Sequence, residues 1–316
     1  MASRAPQDGP SRPLRWWRGL RWGRQVPSGQ PLAARPIPGD GSLNGQPGGQ
    51  GGEVGHLSAI SGDLRQETDG EDAGLEAPRV AEHQRIYAVG DIHGRHDLLV
   101  KLLAQIEHDA SARTDGREVK LVFLGDYIDR GDESAKVLAL LLALSRDRPQ
   151  DVSFLEGNHE AAMIEFLADP VRGRAWLDHG GRQTLASYGI RPPDAAAKEA
   201  QFLQVRDTFK EALGGHLEFL GRLQLMETSG AVLFVHAGLN PAVQDPSTDR
   251  EALLWGHPAC MTANPLPGRR IVHGHFEMPA PMSLPGRICI DTGAYHSGQL
   301  TAVRLDHQEG FLTTAP

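Results

Sequence analysis

Three short apolar runs, residues 86–89, 119–124 and 152–155, each end on a glycine beside an acidic or amide residue, and this recurring junction constrains the chain more than anything else in it. Each run has the length and β-branched content of a buried strand. Between them Leu98, Leu99, Leu102, Leu103 and Ile106 recur at helical spacing, as do Val137, Leu138, Leu141, Leu142 and Leu144. The resulting β-α-β-α-β order predicts an α/β fold whose strand-end loops gather on one edge. A mainly helical stretch is expected from 158 to about 221, with turn signals at Asp169-Pro170, Gly180-Gly181 and Arg191-Pro192-Pro193. Within it, residues 195–219 read as an insertion whose Phe202, Val205, Phe209 and Leu213 share a core-facing stripe. A hairpin closed by Ser229-Gly230 is predicted from strands at 223–226 and 231–235, followed by strands at 270–272, 287–290 and 300–305. No internal repeat is present.

The 37 glycines and 22 prolines of the 316 residues are unevenly placed: residues 1–82 hold 15 Gly and 9 Pro, the composition of a disordered low-complexity leader. One folded domain is therefore predicted over 83–316. The leader is charge-segregated, with seven arginines against Asp8 in residues 1–38 and nine acids against Arg65 and Arg79 in residues 39–82. Residues 15–24 set three tryptophans beside four arginines, a combination suited to peripheral contact with a membrane or a partner. No apolar segment of the kind a secretory signal needs follows those arginines, and the longest apolar run, residues 137–144, is far short of the roughly 18 residues of a membrane span. Cys260 and Cys289 fit no C-x-x-C motif, so they are expected to be inert thiols of a reducing, cytoplasmic compartment, with the tail able to reach a membrane. A net charge of −8 argues against a general nucleic-acid partner.

The strand-end loops carry the chemistry. Gly90-Asp91-Ile92-His93-Gly94 closes the first strand, Gly125-Asp126-Tyr127-Ile128-Asp129-Arg130-Gly131 the second and Gly157-Asn158-His159-Glu160 the third, while Val235-His236-Ala237-Gly238 and Val272-His273-Gly274-His275 follow later strands. In open α/β sheets ligands bind beyond the carboxyl ends of strands, so these loops should converge, with glycines allowing the sharp turns. Carboxylate, imidazole and amide oxygen without thiolate suit Mn, Fe or Zn. A metal pair about 3.5–4 Å apart needs a bridging carboxylate, for which Asp126 in the middle loop is the natural candidate.

These five blocks in this order, GDIHG, GDYIDRG, GNHE, HAG and the late GH, resemble those of the phosphoprotein phosphatases, serine/threonine phosphatases within the calcineurin-like metallophosphoesterases, over about residues 87–305. Trp176-Leu177-Asp178-His179-Gly180-Gly181 and Ile290-Asp291-Thr292-Gly293-Ala294 look like the bacterial branch and are read as scaffold. The resemblance implies a four-layer α/β/β/α sandwich behind the tail. It also implies two divalent cations, with Mn expected and Fe or Zn as alternatives. Asp91, His93 and Asp126 would hold the first, and Asp126, Asn158, His236 and His275 the second. His159 would be the general acid, oriented by Asp129, and Arg130 would bind substrate phosphate. Hydroxide held by the metal pair would attack phosphorus in line, without a covalent phosphoenzyme.

Two positions depart from the pattern. Glu156 stands where the family usually has an arginine before GNHE, and His257 where relatives have one two residues after the tryptophan matching Trp255. Arg250, Arg269 and Arg270 are candidates for the missing charge. Among the remaining polar residues, Glu160 is expected to cap or pair, His273 to be packed, and His96 and His179 to lie at the surface or behind the site. Trp255 is read as a core residue, with groove lining as its alternative, and Tyr127 is balanced between the two. The expected reaction is hydrolysis of phosphate monoesters, phosphoserine or phosphothreonine of a protein or peptide being the expected substrate. A symmetrical dinucleoside tetraphosphatase or related nucleotide pyrophosphatase is the first rival. Asp129 and Glu160 favour the protein phosphatase, and Glu156 and His257 the rival. A scaffold acting only through its tail is the second rival, and the full set of competent ligands speaks against it.

Overall fold

The structure, a computed structural model, describes residues 78–194 and 196–314. Segment 15–24 and most of the predicted leader lie outside the described residues. The five leader residues that are described, 78–82, pack against the folded domain: Val80 is buried and Ala81 N donates to Ser229 Oγ at 3.0 Å. Val80 joins the core between the sheets.

The predicted β-α-β-α-β unit is present as β1 (Gln84–Val89), α1 (His96–Ser111), β2 (Glu118–Phe123), α2 (Ser134–Asp147) and β3 (Val152–Phe154). The helical region divides into α3 (Asn158–Ala168), a 3-10 segment (Arg172–His179), α4 (Gly181–Ser187), α5 (Glu199–Leu213) and α6 (Gly215–Leu220). The hairpin is β4 (Met226–Ser229) and β5 (Val232–Val235), and α7 (Arg250–Trp255), β6 (Arg270–His273), β7 (Met282–Ser283), β8 (Arg287–Cys289), α8 (Ala294–Ser297), β9 (Thr301–Leu305) and β10 (Glu309–Thr313) complete the chain. The first hairpin strand starts at Met226 because Gln224 is taken up in a parallel bridge with Leu155. Strand β10 opens on Glu-Gly at a half-exposed sheet edge, which hides it from an apolar-run criterion, but it pairs with β9 over its full length.

Two five-stranded mixed sheets result, ordered β10-β9-β1-β2-β3 and β4-β5-β6-β8-β7. Alternation along the strands sets the layers. Ile86, Ala88 and Val122 of the first sheet meet Val232, Phe234, Val272 and Ile288 of the second in a buried inter-sheet core. The outward residues face helices: Tyr87 donates its hydroxyl to Asp109 of α1, and Phe123 stacks on Phe154, which meets Phe219 of α6. Behind the second sheet, Leu233, Val235 and Ile271 pack with Leu253 of α7 and Cys260. This is the expected four-layer α/β/β/α sandwich. Strands β1, β2 and β3 run parallel, as do β5, β6 and β8, so the carboxyl ends of each set deliver their loops to one edge.

In α5, Phe202, Phe209 and Leu213 are buried as the stripe requires, whereas Val205 is half-buried. Both cysteines are buried free thiols, and burial pushes Cys289 up to about 12, in keeping with inertness.

Candidate metal centre

Asp126 sits at the middle of the gathered loops with its two oxygens turned opposite ways: Oδ2 lies 3.5 Å from His93 Nε2 and Oδ1 lies 3.5 Å from His236 Nε2. Two groups of ligand atoms share it, one formed with His93 and His159, the other with His236 and His275. Asn158 Oδ1 joins the second group, 2.9 Å from His236 Nε2 and 3.0 Å from His275 Nδ1. Asp91 is buried against the last of these loops, its carboxylate accepting from the His275 backbone N–H at 3.1 Å, with Gly274 so close that a Cβ there would come within 1.9 Å of Asp91 Oδ1. All six residues expected to hold metal therefore converge, although the compact first group contains His159 where the sequence suggests Asp91.

The donor chemistry fits a pair of divalent cations. His93 donates Nδ1–H to Ile128 O and His236 donates Nδ1–H to Leu124 O, both at 2.9 Å, which leaves each Nε2 as a lone pair aimed inward. Burial drives His93 down to about 3 and His275 down to about 4, and lowers His236 as well, so all three are neutral at physiological pH, as metal binding requires. With Asn158 in this orientation, its amide oxygen and His236 Nε2 are two acceptors 2.9 Å apart with no proton to share. A cation satisfies both. Burial, then Asp291 and Asp126, raise the Asp91 carboxyl, and burial first raises Asp291 to about 6; positive charge would relieve both.

His159 is built differently. Its Nδ1 donates to Asp129 Oδ2 at 2.7 Å, and Asp129 is fixed in turn by Trp176 Nε1 at 2.8 Å and Thr184 Oγ1 at 2.6 Å. Burial opposes charge on this imidazole, but Asp126 and Asp129 outweigh it and raise His159 to about 9. Arg130 Nη2 lies 3.3 Å from His159 Nε2, so with the ring protonated two donors stand side by side and can serve one anionic oxygen. The Arg130 guanidinium also rests over the Tyr295 ring, 4.8 Å from its centroid. Tyr295 edges against His93 at 5.7 Å, yet nothing in its short-range sequence context marks it as part of the site.

The surrounding positions follow their local chemistry. Glu160 caps rather than ligates, accepting from the backbone N–H groups of Asp126 and Tyr127 at 2.8 Å and of Gly157 at 3.0 Å, and so ties the second loop to the third. His273 is packed and accepts from Arg287, His179 is exposed, and His96 is half-buried near Glu133. Tyr127 is fully buried, its hydroxyl donating to Leu155 O. Trp255 is the opposite of a core residue: it is 48% exposed, because α7 ends there at the edge of the site with the indole edge-on to His275. Every non-glycine residue with positive φ among the described residues is in this site: His93, Asp126, Asp129, Arg130 and His275, at +45° to +72°.

The calcineurin-like phosphoesterase profile matches residues 84–307. The chain belongs to that family. Phosphoesterases of this kind use two divalent metals, and the groups around Asp126 are the candidate ligands here. Two curated relatives point to different substrates. The chain is 28% identical over 245 residues (70% of this chain, 90% of the relative) to the asymmetrical bis(5'-nucleosyl)-tetraphosphatase PrpE of Anoxybacillus flavithermus. It is 27% identical over 231 residues (71% and 94%) to serine/threonine-protein phosphatase 2 of Salmonella typhimurium. A solved metallophosphoesterase from Sphaerobacter thermophilus superposes at a TM-score of 0.43 with 17% identity, covering 73% of this phosphoesterase and 88% of that chain.

Proposed function

We propose that this phosphoesterase hydrolyses phosphate monoesters, with phosphoserine or phosphothreonine in a protein or peptide as its substrate, in the manner of the phosphoprotein phosphatases. The observation that carries this reading is the buried Asp129–His159 pair at 2.7 Å. A serine or threonine alkoxide is a very poor leaving group and needs a proton as the P–O bond breaks, and an imidazolium held by a carboxylate supplies it. The phosphate group displaced from a polyphosphate chain leaves readily without one.

Asp91, His93 and Asp126 on one side, and Asp126, Asn158, His236 and His275 on the other, are assigned to hold the two cations, with Mn as the proposed metal and Fe or Zn accepted by the same donors. Bound there, the cations supply Lewis-acid polarisation of the phosphoryl group and a nucleophile at neutral pH. The side chains do the rest. Arg130 binds the phosphoryl oxygens and orients the ester, Asp129 keeps the His159 ring protonated and aimed, and His159 passes the Nε2 proton to the departing oxygen.

Hydrolysis of dinucleoside tetraphosphates is the second reading. It is favoured by Glu156 and His257, which replace two phosphate-binding arginines, and by the name of the PrpE relative, an asymmetrical enzyme rather than the symmetrical type suggested by the blocks alone. Turnover of a phosphoserine peptide and of diadenosine tetraphosphate by the Mn-loaded full chain separates the two. Strong preference for the nucleotide refutes the first reading.

A further inference from the structure

The centre has a cationic side and a side that lacks a cation in the expected place. Arg130 stands by His159, while on the Asn158 side the position that would carry an arginine is Glu156, whose charge repels phosphate. Three arginines are near enough in sequence to compensate. Arg269 donates to Gly230 O, and Arg270 donates to Ser283 and Leu284 and pairs with Glu309. Both lie where β6 begins, whereas His275 follows the end of that strand, so they belong to the opposite end of the sheet from the centre. Arg250 is placed otherwise. It is the first residue of α7, and its Nη2 donates to Glu156 Oε1 at 2.6 Å across 94 residues of chain.

We propose that Arg250 is the substrate-phosphate arginine on the Asn158 side, and that Glu156 is the residue that positions it. The backbone of Glu156 is fixed: its N–H donates to Gln224 O at 2.7 Å, and Gly125 packs so tightly that a Cβ there would lie 3.0 Å from the Glu156 carbonyl carbon. Helix α7 is fixed as well. Asp249 caps it by accepting from Ala252 N–H, Leu253 and Leu254 are buried, and Trp255 at its far end sits against His275. One end of α7 thus reaches the third loop and the other the last ligand, which spans the Asn158–His275 side of the site. The guanidinium is half exposed and has five N–H groups, of which the Glu156 bond occupies one. Pairing cancels the Glu156 charge and leaves a donor fork for phosphoryl oxygens opposite Arg130. A guanidinium has in effect been returned to the vacated position from a different element.

The proposal rests on the phosphoesterase reading but not on which ester is the substrate, so the probe is inorganic phosphate as a competitive inhibitor. The Mn-loaded full chain is compared with Arg250→Ala, Glu156→Gln, the double variant and the exchanged pair Glu156→Arg with Arg250→Glu, with bound metal counted in each. Loss of one charge-assisted contact at a half-exposed site should raise the phosphate Ki and the substrate KM roughly 10-fold in Arg250→Ala, with the effect larger in KM than in kcat. Glu156→Gln should raise Ki by a smaller factor in the parent and should not raise it once Arg250 is gone, where the change only removes an unpaired negative charge that repels phosphate. The exchanged pair should restore Ki to within about 3-fold. An unchanged Ki in Arg250→Ala overturns the proposal, as does a full Glu156→Gln effect without Arg250, or loss of metal along with phosphate affinity. If the parent cleaves neither candidate ester, calorimetric titration of phosphate decides the arginine assignment alone, and the failure belongs to the substrate reading.

Discussion

Replacing Asp129 by Asn keeps the shape of a fully buried side chain and removes only its charge and half its acceptor capacity. Trp176 Nε1 and His159 Nδ1 share Oδ2 while Thr184 Oγ1 donates to Oδ1, so the amide oxygen takes the Oδ2 place and the NH2 group faces the Thr184 hydroxyl, which can accept. His159 Nδ1 then donates to a neutral oxygen, and the ring loses the negative charge that sustains the form in which Nδ1 and Nε2 both carry protons. A charge-assisted hydrogen bond is worth about 1.5–3 kcal/mol, or roughly 10–100-fold, and general-acid catalysis as a whole is worth about 10²–10⁴-fold. A fall in kcat of about 100-fold is therefore expected on a phosphoserine peptide, whose leaving group needs the proton. On p-nitrophenyl phosphate, whose phenolate leaves unaided, the fall should stay within about 5-fold. Cations on Asp126 offset its share of the upward pull on His159, which leaves Asp129 to sustain it. The basic limb of the kcat profile should accordingly move to lower pH in the variant. The assay is steady-state kinetics on both substrates across pH with metal content measured. Equal losses on the two substrates, with metals retained, would refute the proton-donor argument.

Other outcomes follow from the same geometry. Gly274→Ala should displace Asp91 and lower the bound metal measured by elemental analysis, because the added methyl comes within 1.9 Å of its oxygen. In chelated protein, Asp291 binds its proton more tightly when folded, at about 6 against an ordinary 3.8, so the folded state is favoured at low pH and loses stability as pH rises through that window. Thermal unfolding should show Tm of the metal-free protein falling between about pH 4 and 7, and Mn raising Tm more at the upper end; a pH-independent metal effect would contradict this. Removing residues 1–75 preserves Val80 and its core contacts and should leave turnover unchanged. If the Arg/Trp segment makes the peripheral contact proposed for it, the same deletion abolishes sedimentation with anionic vesicles, and unchanged sedimentation defeats that role.

What could be read from the sequence was whatever depends on short-range periodicity. The strand runs and the glycine-flanked acidic loops lie within windows of a few residues, so β1, β2, β3 and the loops bearing Asp91, Asp126 and Asn158 were visible at once. Long-range pairing was not. Strand β10 exists because β9 offers it a partner, and Val80 belongs to the core because two sheets close over it. Trp255 was misread because an aromatic side chain in an apolar helix looks like core unless one knows that the helix ends at a rim. Tyr295 and the Glu156–Arg250 pair join residues roughly 100–200 positions apart, and only three-dimensional closure brings them into contact.

The five left-handed residues also bear on how this protein ages under mutation. Each non-glycine residue held in that region costs about 1–3 kcal/mol, and it persists only while the surrounding sheets over-determine it. The ligand loops are thus the part of the domain with most to gain by relaxing. A substitution that loosens the inter-sheet core, even far from Asp126, would release these loops before the sandwich itself unfolds. Phosphoesterase activity should therefore fail at a lower temperature than secondary structure, and metal should close the gap.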